Sequence, residues 1–306
     1  MRPTRLLPIL CCVAGLVAPG LALSSLESTE LPGRQLPLKP VLRKQAPELQ
    51  QRMQTLLAGL QATPQLADPR GVSVHPGLAI TQHPELPMIR ASGRVHLMPI
   101  NAADRDTVID PKTGRYQGVG EGNSVEILVN DSSHLKIDLT KRDAIFYEPE
   151  RAGSIAGFPL YVIGGSMPFM LIEAPGRSLW KRVTVAEYLE RLTTEGGFDA
   201  EPARRAAATL SPAVLAGPAC AAVRRGEVVS DCIGPDPTYL VRLNPSYLQI
   251  DPRRPDAIQL MTVKVGSMRL YTTLEEHRKR SPRSPLSQAL AAMEQYDWKQ
   301  AARWVE

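Results

Sequence analysis

The chain has 306 residues, a formal net charge of +5, 43% hydrophobic residues and 5% aromatics. The hydrophobic share supports a packed core, whereas the small, dispersed charge and few aromatic rings argue against a nucleic-acid surface, which needs a basic stripe with stacking residues. The 28 prolines, dense in the N-terminal third and around residues 212–285, favour turns and short elements over long helices. A loop- and Pro-rich α+β protein is expected, with a strand-rich N-terminal half containing hairpins and a helix-containing C-terminal half.

Arg2 and Arg5 precede an apolar run from Leu6 to Leu21 that ends in small residues, the pattern of a cleaved secretory signal. Gly20 and Ala22 place cleavage after Ala22, with Ser24 as the alternative site. An uncleaved anchor is the competing reading, but Pro8, Pro19 and two glycines interrupt a run that is short of the roughly 20 apolar residues a span requires. Pro8-Ile9-Leu10 before Cys11 lacks the small residues of a lipidation site. No later segment resembles a transmembrane helix, so residues 1–22 are expected to leave and the mature chain to work in the periplasm or outside the cell.

Residues 23–92 read as an extended leader carrying one amphipathic helix at about 46–60, where Leu49, Met53, Leu56, Leu57 and Leu60 recur at three- and four-residue spacings. Residues 62–92 show no clear period. A strand-rich domain follows over 93–180. Arg94 to Met98 and Ser124 to Asn130 are strand-like, the latter alternating Val125, Ile127 and Val129 with residues on the other face. Asp110 to Gly114 is turn chemistry, and Gly118, Gly120 and Gly122 suggest a flexible segment. Phe158 to Ile163 and Met167 to Ile172 form a hairpin about Gly164-Gly165-Ser166, with Pro159 and Pro168 at strand starts or on an edge.

Residues 181–306 read as an α+β domain. Thr184 and Glu187 make a capping box, Gly196-Gly197 ends that helix, and residues 200–216 continue as helix broken at Pro212. Ala257 to Val265 is strand-like, and Ser284-Pro285 opens the last helix. With Cys11 and Cys12 removed, Cys220 and Cys232 remain, and in an oxidising compartment they are expected to form a disulfide. Arg224-Arg225-Gly226 supplies a reversal between them, and closing so short a loop contributes about 3 kcal/mol in the chain-entropy picture. A redox pair would use a C-x-x-C spacing instead.

Several segments together resemble a group of uncharacterised exported bacterial proteins: Val125 to Asp131, Gly153 to Tyr161, Trp180 to Leu189, Leu210-Ser211-Pro212, Leu243 to Tyr247 and Ile258 to Val263. The resemblance covers roughly residues 90–306 and implies export from a bacterium. It implies no catalytic residues, because the group has no established activity.

No cofactor fingerprint occurs. His75, His83 and His96 lie close in sequence but form neither H-E-x-x-H nor H-x-H; His75 and His83 precede prolines and are expected in exposed extended loops. Asp104, Asp106 and Asp110 miss the ligand spacing of a calcium loop, so no metal is expected. Asp131-Ser132-Ser133-His134 sets acid, hydroxyl and imidazole side by side, but triads are built in space, and neither Ser154 nor Ser166 completes G-x-S-x-G. Paired carboxylates for glycoside chemistry remain open among Glu121, Glu126, Asp131, Glu148 and Glu173, since their separation is a structural fact. If there is catalysis, Glu121, Asp131, His134 and His96 are the candidates. The expected function is non-enzymatic binding of an unknown protein or a cell-envelope component, through the segment Asp110 to Asn130 and the turn at His134. The alternative is a secreted or periplasmic hydrolase. Intact-mass spectrometry of the exported chain is expected to show an N-terminus after Ala22 and a mass two hydrogens lower before reduction than after; an uncut terminus or free thiols contradicts both expectations.

Overall fold

The computed structural model describes residues 28–39, 46–163, 168–174, 176–220, 222–224, 227–229, 237–266, 279 and 281–306. The expected signal segment, Cys232 and the turn at 164–166 lie outside the described residues. Helix α1 (Pro47–Gln61) and the single turn α2 (Pro64–Ala67) precede a long hairpin of β1 (Val72–Gln82) and β2 (Ile89–Pro99). Short β3 (Val108–Ile109) and β4 (Tyr116–Gln117) lead into β5 (Asn123–Val129). After β6 (Phe146–Tyr147), a meander runs through β7 (Glu150–Ile155), β8 (Phe158–Val162) and β9 (Phe169–Ile172). Next come β10 (Trp180–Arg182), α3 (Val185–Glu195), α4 (Ala200–Thr209) and α5 (Pro212–Ala216). The chain continues through β11 (Ala222–Arg224), β12 (Glu227–Val229), β13 (Leu240–Leu243) and β14 (Met261–Val265), then α6 (Pro285–Gln295) and α7 (Trp298–Ala302). The protein is α+β, as its sequence leads one to expect.

Seven strands form one antiparallel sheet in the order β1-β2-β5-β14-β9-β8-β7. Two meanders, β1-β2-β5 and β7-β8-β9, are joined by β14, which pairs with β5 on one side and β9 on the other. The strand at the middle of the sheet therefore comes from the C-terminal half, and the sheet crosses the expected boundary near residue 180. Alternation decides which side chains face the core. Ala91, Val95 and Leu97 of β2, Val125, Ile127 and Val129 of β5, and Met261, Val263 and Val265 of β14 are all buried in one cluster with α1 and α6. The five apolar residues expected on the first helix, Leu49 through Leu60, are those that α1 buries. Gly93 lets that helix sit close: a Cβ there would lie 2.8 Å from Met53 Cε and 3.3 Å from Leu57 Cδ2.

The aperiodic stretch 62–92 holds β1 and the start of β2, a hairpin that the sequence pattern does not announce. Pro76 and Gly77 interrupt the strand signal, yet both pair in register, with Val95 and Arg94. The backbone of Val74 bonds outward, to Arg34 and Leu36, so the same outward orientation recurs at Pro76, where a missing N–H removes no bond to β2. Gly118 and Gly122 are not there for flexibility. A Cβ on either would collide with backbone oxygens, of Pro99 and Leu97 respectively, so the segment after the 110–114 turn lies directly against the end of β2.

The opposite face of the sheet is covered only in part. Leu135, Leu139, Phe169, Leu171, Leu179, Trp180, Val241, Leu243, Tyr247, Leu248 and Leu260 form a second core over its β9 side. A smaller cluster ties α3 and α4 to the three-stranded sheet β10-β13-β6. There Thr184 and Glu187 complete the capping box, side chain to backbone in both directions. Ser284 caps α6 at Ser287 N, with Pro285 at its first turn.

Entry into β14 is fixed by Asn130, fully buried with a backbone φ of +54°. Its Nδ2 donates to Ile89 O at 3.0 Å and Ala257 O at 2.8 Å, and its Oδ1 accepts from Gln259 N at 2.8 Å and Leu260 N at 3.3 Å. One amide thus replaces ladder bonds where three chain segments meet. Asn130→Ala is expected to lower unfolding free energy by about 3 kcal/mol or more, at roughly 1 kcal/mol per lost bond with added cost for orphaned buried groups. Urea denaturation checks this, and a loss below about 1 kcal/mol would mean the clamp contributes little.

Candidate functional site

The uncovered half of the second face carries the polar positions of β1, β2, β5 and β14. Register sets Arg94 beside Glu126 and Glu126 beside Lys264, a row of alternating charge across three strands. Lys264 Nζ lies 3.2 Å from Glu126 Oε2, and Ser124 donates to Glu126 Oε1 at 3.3 Å. The turn after β5 folds His134 down onto this row. Its Nδ1 is 2.9 Å from Thr262 Oγ1, its Nε2 faces Glu126 Oε2 at 3.9 Å, and the residue is only 8% exposed. The His134 contact, then Lys264, holds the Glu126 carboxyl down at about 2. Burial pushes the His134 imidazole below its ordinary 6.5, more than Glu126 raises it. The ring is neutral at pH 7 and both its nitrogens are turned towards protein groups.

The other candidates do not join this row as a catalytic set. Asp131 pairs with Arg90 NH1 at 3.2 Å and accepts from Ser133 N at 2.9 Å, which orders the turn. Ser132 donates to Ile137 O at 2.6 Å and the Ser133 hydroxyl to Asp131 Oδ1, so acid and hydroxyl meet, but the imidazole turns away to Thr262 and no triad forms. Glu121 is exposed before β5. His96 is half-buried in β2 opposite His75 and Ser124, and burial lowers its basicity, with Arg94 adding to the effect. His75 is not in an exposed loop: it lies within β1, with Nε2 2.7 Å from Ser73 Oγ. His83 does sit in a turn, where Nδ1 accepts from Glu85 N and Leu86 N. Among the described residues, no three His, Cys, Asp or Glu side chains are grouped to hold a metal. Asp104 and Asp110 accept from the backbone N–H two residues on, each closing a turn.

Cys220 is buried and bridges to Tyr239 beside β13. The reversal expected after it is present as the β11–β12 pair, with Arg224 opposite Glu227.

Two openings lie away from all four candidates. One, of about 490 Å³, is bordered by Arg142, Gln249, Asp251, Arg254, Gln259 and Glu306. The other, of about 430 Å³, contains Arg34, Asp110 and Arg115, whose charges pair with one another or with Asp68. Sequence reading marked Glu126 only as one of several carboxylates and did not mark Lys264, Thr262 or Gln259. Alternation in 261–265 puts Thr262 and Lys264 on the polar face, but their partners lie more than 120 residues away in sequence, and no local pattern encodes that pairing.

No family model, curated protein or solved structure matches the chain.

The buried His134 and the half-buried Glu126 set an acid response. His134 is a base with a depressed folded value, so its contribution to stability is complete above 6.5 and declines as pH falls from there. Glu126 contributes fully above its ordinary 4.5 and loses that contribution as pH falls towards 2. Both therefore weaken the fold in acid. Thermal midpoints are expected to begin falling below pH 6.5 in the native chain. His134→Gln should flatten that first decline and shrink the second, because His134 is the main cause of the Glu126 shift. Superimposable pH profiles for the two proteins would remove His134 from this role.

Proposed function

We propose that this chain is an exported bacterial binding protein without catalytic activity, acting in the periplasm or after release, and that it engages an anionic component of the cell envelope. The observation that supports this most directly is the state of His134. A general base needs a nitrogen within reach of a substrate proton, whereas this imidazole is buried and faces Thr262 and Glu126. The surface beside it is suited to contact: Ala79, Thr81, Ser92 and Arg94 are exposed on the open half of the sheet. Arg94 makes no ion pair among the described residues, while Lys264 and Arg90 are each matched by a carboxylate, so the face carries one unneutralised cation. The bordering segment Asp110 to Asn130 and the His134 turn belong to the same proposed contact surface.

Export after Ala22 and a Cys220–Cys232 bond belong to this reading. The bond is supported by the burial of Cys220 and by the β11–β12 reversal that follows it. Among the described residues, no helix is long and apolar enough to cross a membrane.

The mature chain is expected to co-sediment with purified bacterial envelope material, less so in high salt, and Arg94→Glu should cut the bound fraction severalfold without changing the melting temperature. No sedimentation, or turnover of ester, glycoside or peptide substrates that His134→Ala abolishes, would favour the hydrolase reading instead.

A further inference from the structure

The larger opening brings together three separated stretches of chain: the loop after β5, the loop after β13 and the segment entering β14, with Glu306 closing one side. Its volume of about 490 Å³ lies in the range of small-molecule sites. Its walls are held from behind. Asn130 binds the backbone at Ala257, Gln259 and Leu260, and Glu306 N donates to Ile258 O at 2.8 Å. Such second-layer support is what keeps a binding geometry fixed.

The polar groups around it are of opposite kinds. Arg254 is taken up by Glu306, 2.5 Å away. Arg142 is exposed and has no carboxylate partner among the described residues. Asp251 accepts from Arg253 N, which occupies one carboxylate oxygen and leaves the other. At the floor, Gln259 is 5% exposed, and its Oε1 accepts from Gln249 N at 3.0 Å. That bond orients the amide and leaves its NH₂ group, which has no protein acceptor among the described residues. A fixed donor at the wall of an opening, not consumed by the protein, is free to bond a ligand that enters.

We propose that this opening is a binding site for a small zwitterion of the amino-acid type, either free or at the ends of a short peptide. A free guanidinium and an oriented amide N–H₂ match a carboxylate, and the remaining carboxylate oxygen of Asp251 matches an ammonium. The opening is not suited to a purely anionic ligand, since Asp251 and Glu306 would repel it, nor to an apolar one, since the rim is charged. The assignment deepens the binding-protein reading by adding a second, separate site and a ligand class.

The test is calorimetric titration of the full mature chain with glycine, L-alanine and L-alanyl-L-alanine, alongside acetate and methylammonium as half-ligands. At least one zwitterion is expected to bind saturably and neither half-ligand to do so. Arg142→Ala and Asp251→Asn should each weaken binding about tenfold or more, the scale of one lost charge-assisted contact. Both positions are exposed, so unchanged melting temperatures are expected to show that the fold is intact. The proposal is overturned if none of the three zwitterions binds at millimolar concentration, if acetate binds as well as they do, or if affinity is unchanged in both variants. Failure here leaves envelope sedimentation unaffected, because that assay reads the sheet face around Arg94.

Discussion

Everything in this fold depends on a late strand finding its place between two early meanders. β14 is five residues long, yet it pairs along its length with β5 and over four residues with β9. Without it, β1-β2-β5 and β7-β8-β9 would be separate three-stranded pieces, each with an unpaired strand edge where the main core now lies. Inserting Met261, Val263 and Val265 closes that gap and brings α6 onto the same apolar face as α1. Burying such side chains is worth on the order of 1.5–3 kcal/mol each, and it has to offset the loop-closure entropy of pairing residues far apart in sequence. The contact with β5 spans more than 130 residues, so the cost falls on ordering the chain between, and the gain arrives only when β14 docks.

That arrangement makes the two faces of the sheet unequal. One face is sealed by helices. The other is sealed on the β9 side by the second core and left polar on the β1 side. His134 sits at the seam, between the apolar cover formed by Leu135 and Leu139 and the charged row of Arg94, Glu126 and Lys264. Its burial follows from where the cover ends. A carboxylate at that seam must be partnered to stay charged, and Glu126 has three partners: Lys264, Ser124 and the imidazole. The result is a satisfied network whose members spend their hydrogen-bonding capacity on one another.

Much of the architecture was legible because local pattern and burial agree. The helix at 46–60, the strand at 124–130, the capping box at Thr184 and the Ser284-Pro285 helix start each follow from spacing or cap chemistry that needs no distant partner. The β1–β2 hairpin was hidden because Pro76 and Gly77 are usual strand breakers, yet Pro76 faces outward, where its missing N–H removes no bond to β2, and Gly77 still pairs with Arg94. Gly118 and Gly122 misled in the opposite way. Read as freedom, they mark places where two backbones touch. Of the candidate residues, Asp131 and His134 are neighbours in sequence but serve different partners, Arg90 and Thr262, because the turn they occupy faces both the end of β2 and the middle of β14.

Asn130 links these observations. It ends β5 in a left-handed conformation that most residues avoid, and its side chain bonds the backbone at Ile89, Ala257, Gln259 and Leu260. The same residue therefore terminates one strand, starts the central strand and braces the floor of the larger opening. A charged pair could not do this as well, because a buried ion needs compensation from every side. A neutral amide offers two donors and two acceptor positions in one plane and needs nothing else. The direction change after Asn130 also launches the His134 turn towards the sheet. The satisfied network on the sheet face and the polar opening beyond it thus both depend on how one amide redirects the chain.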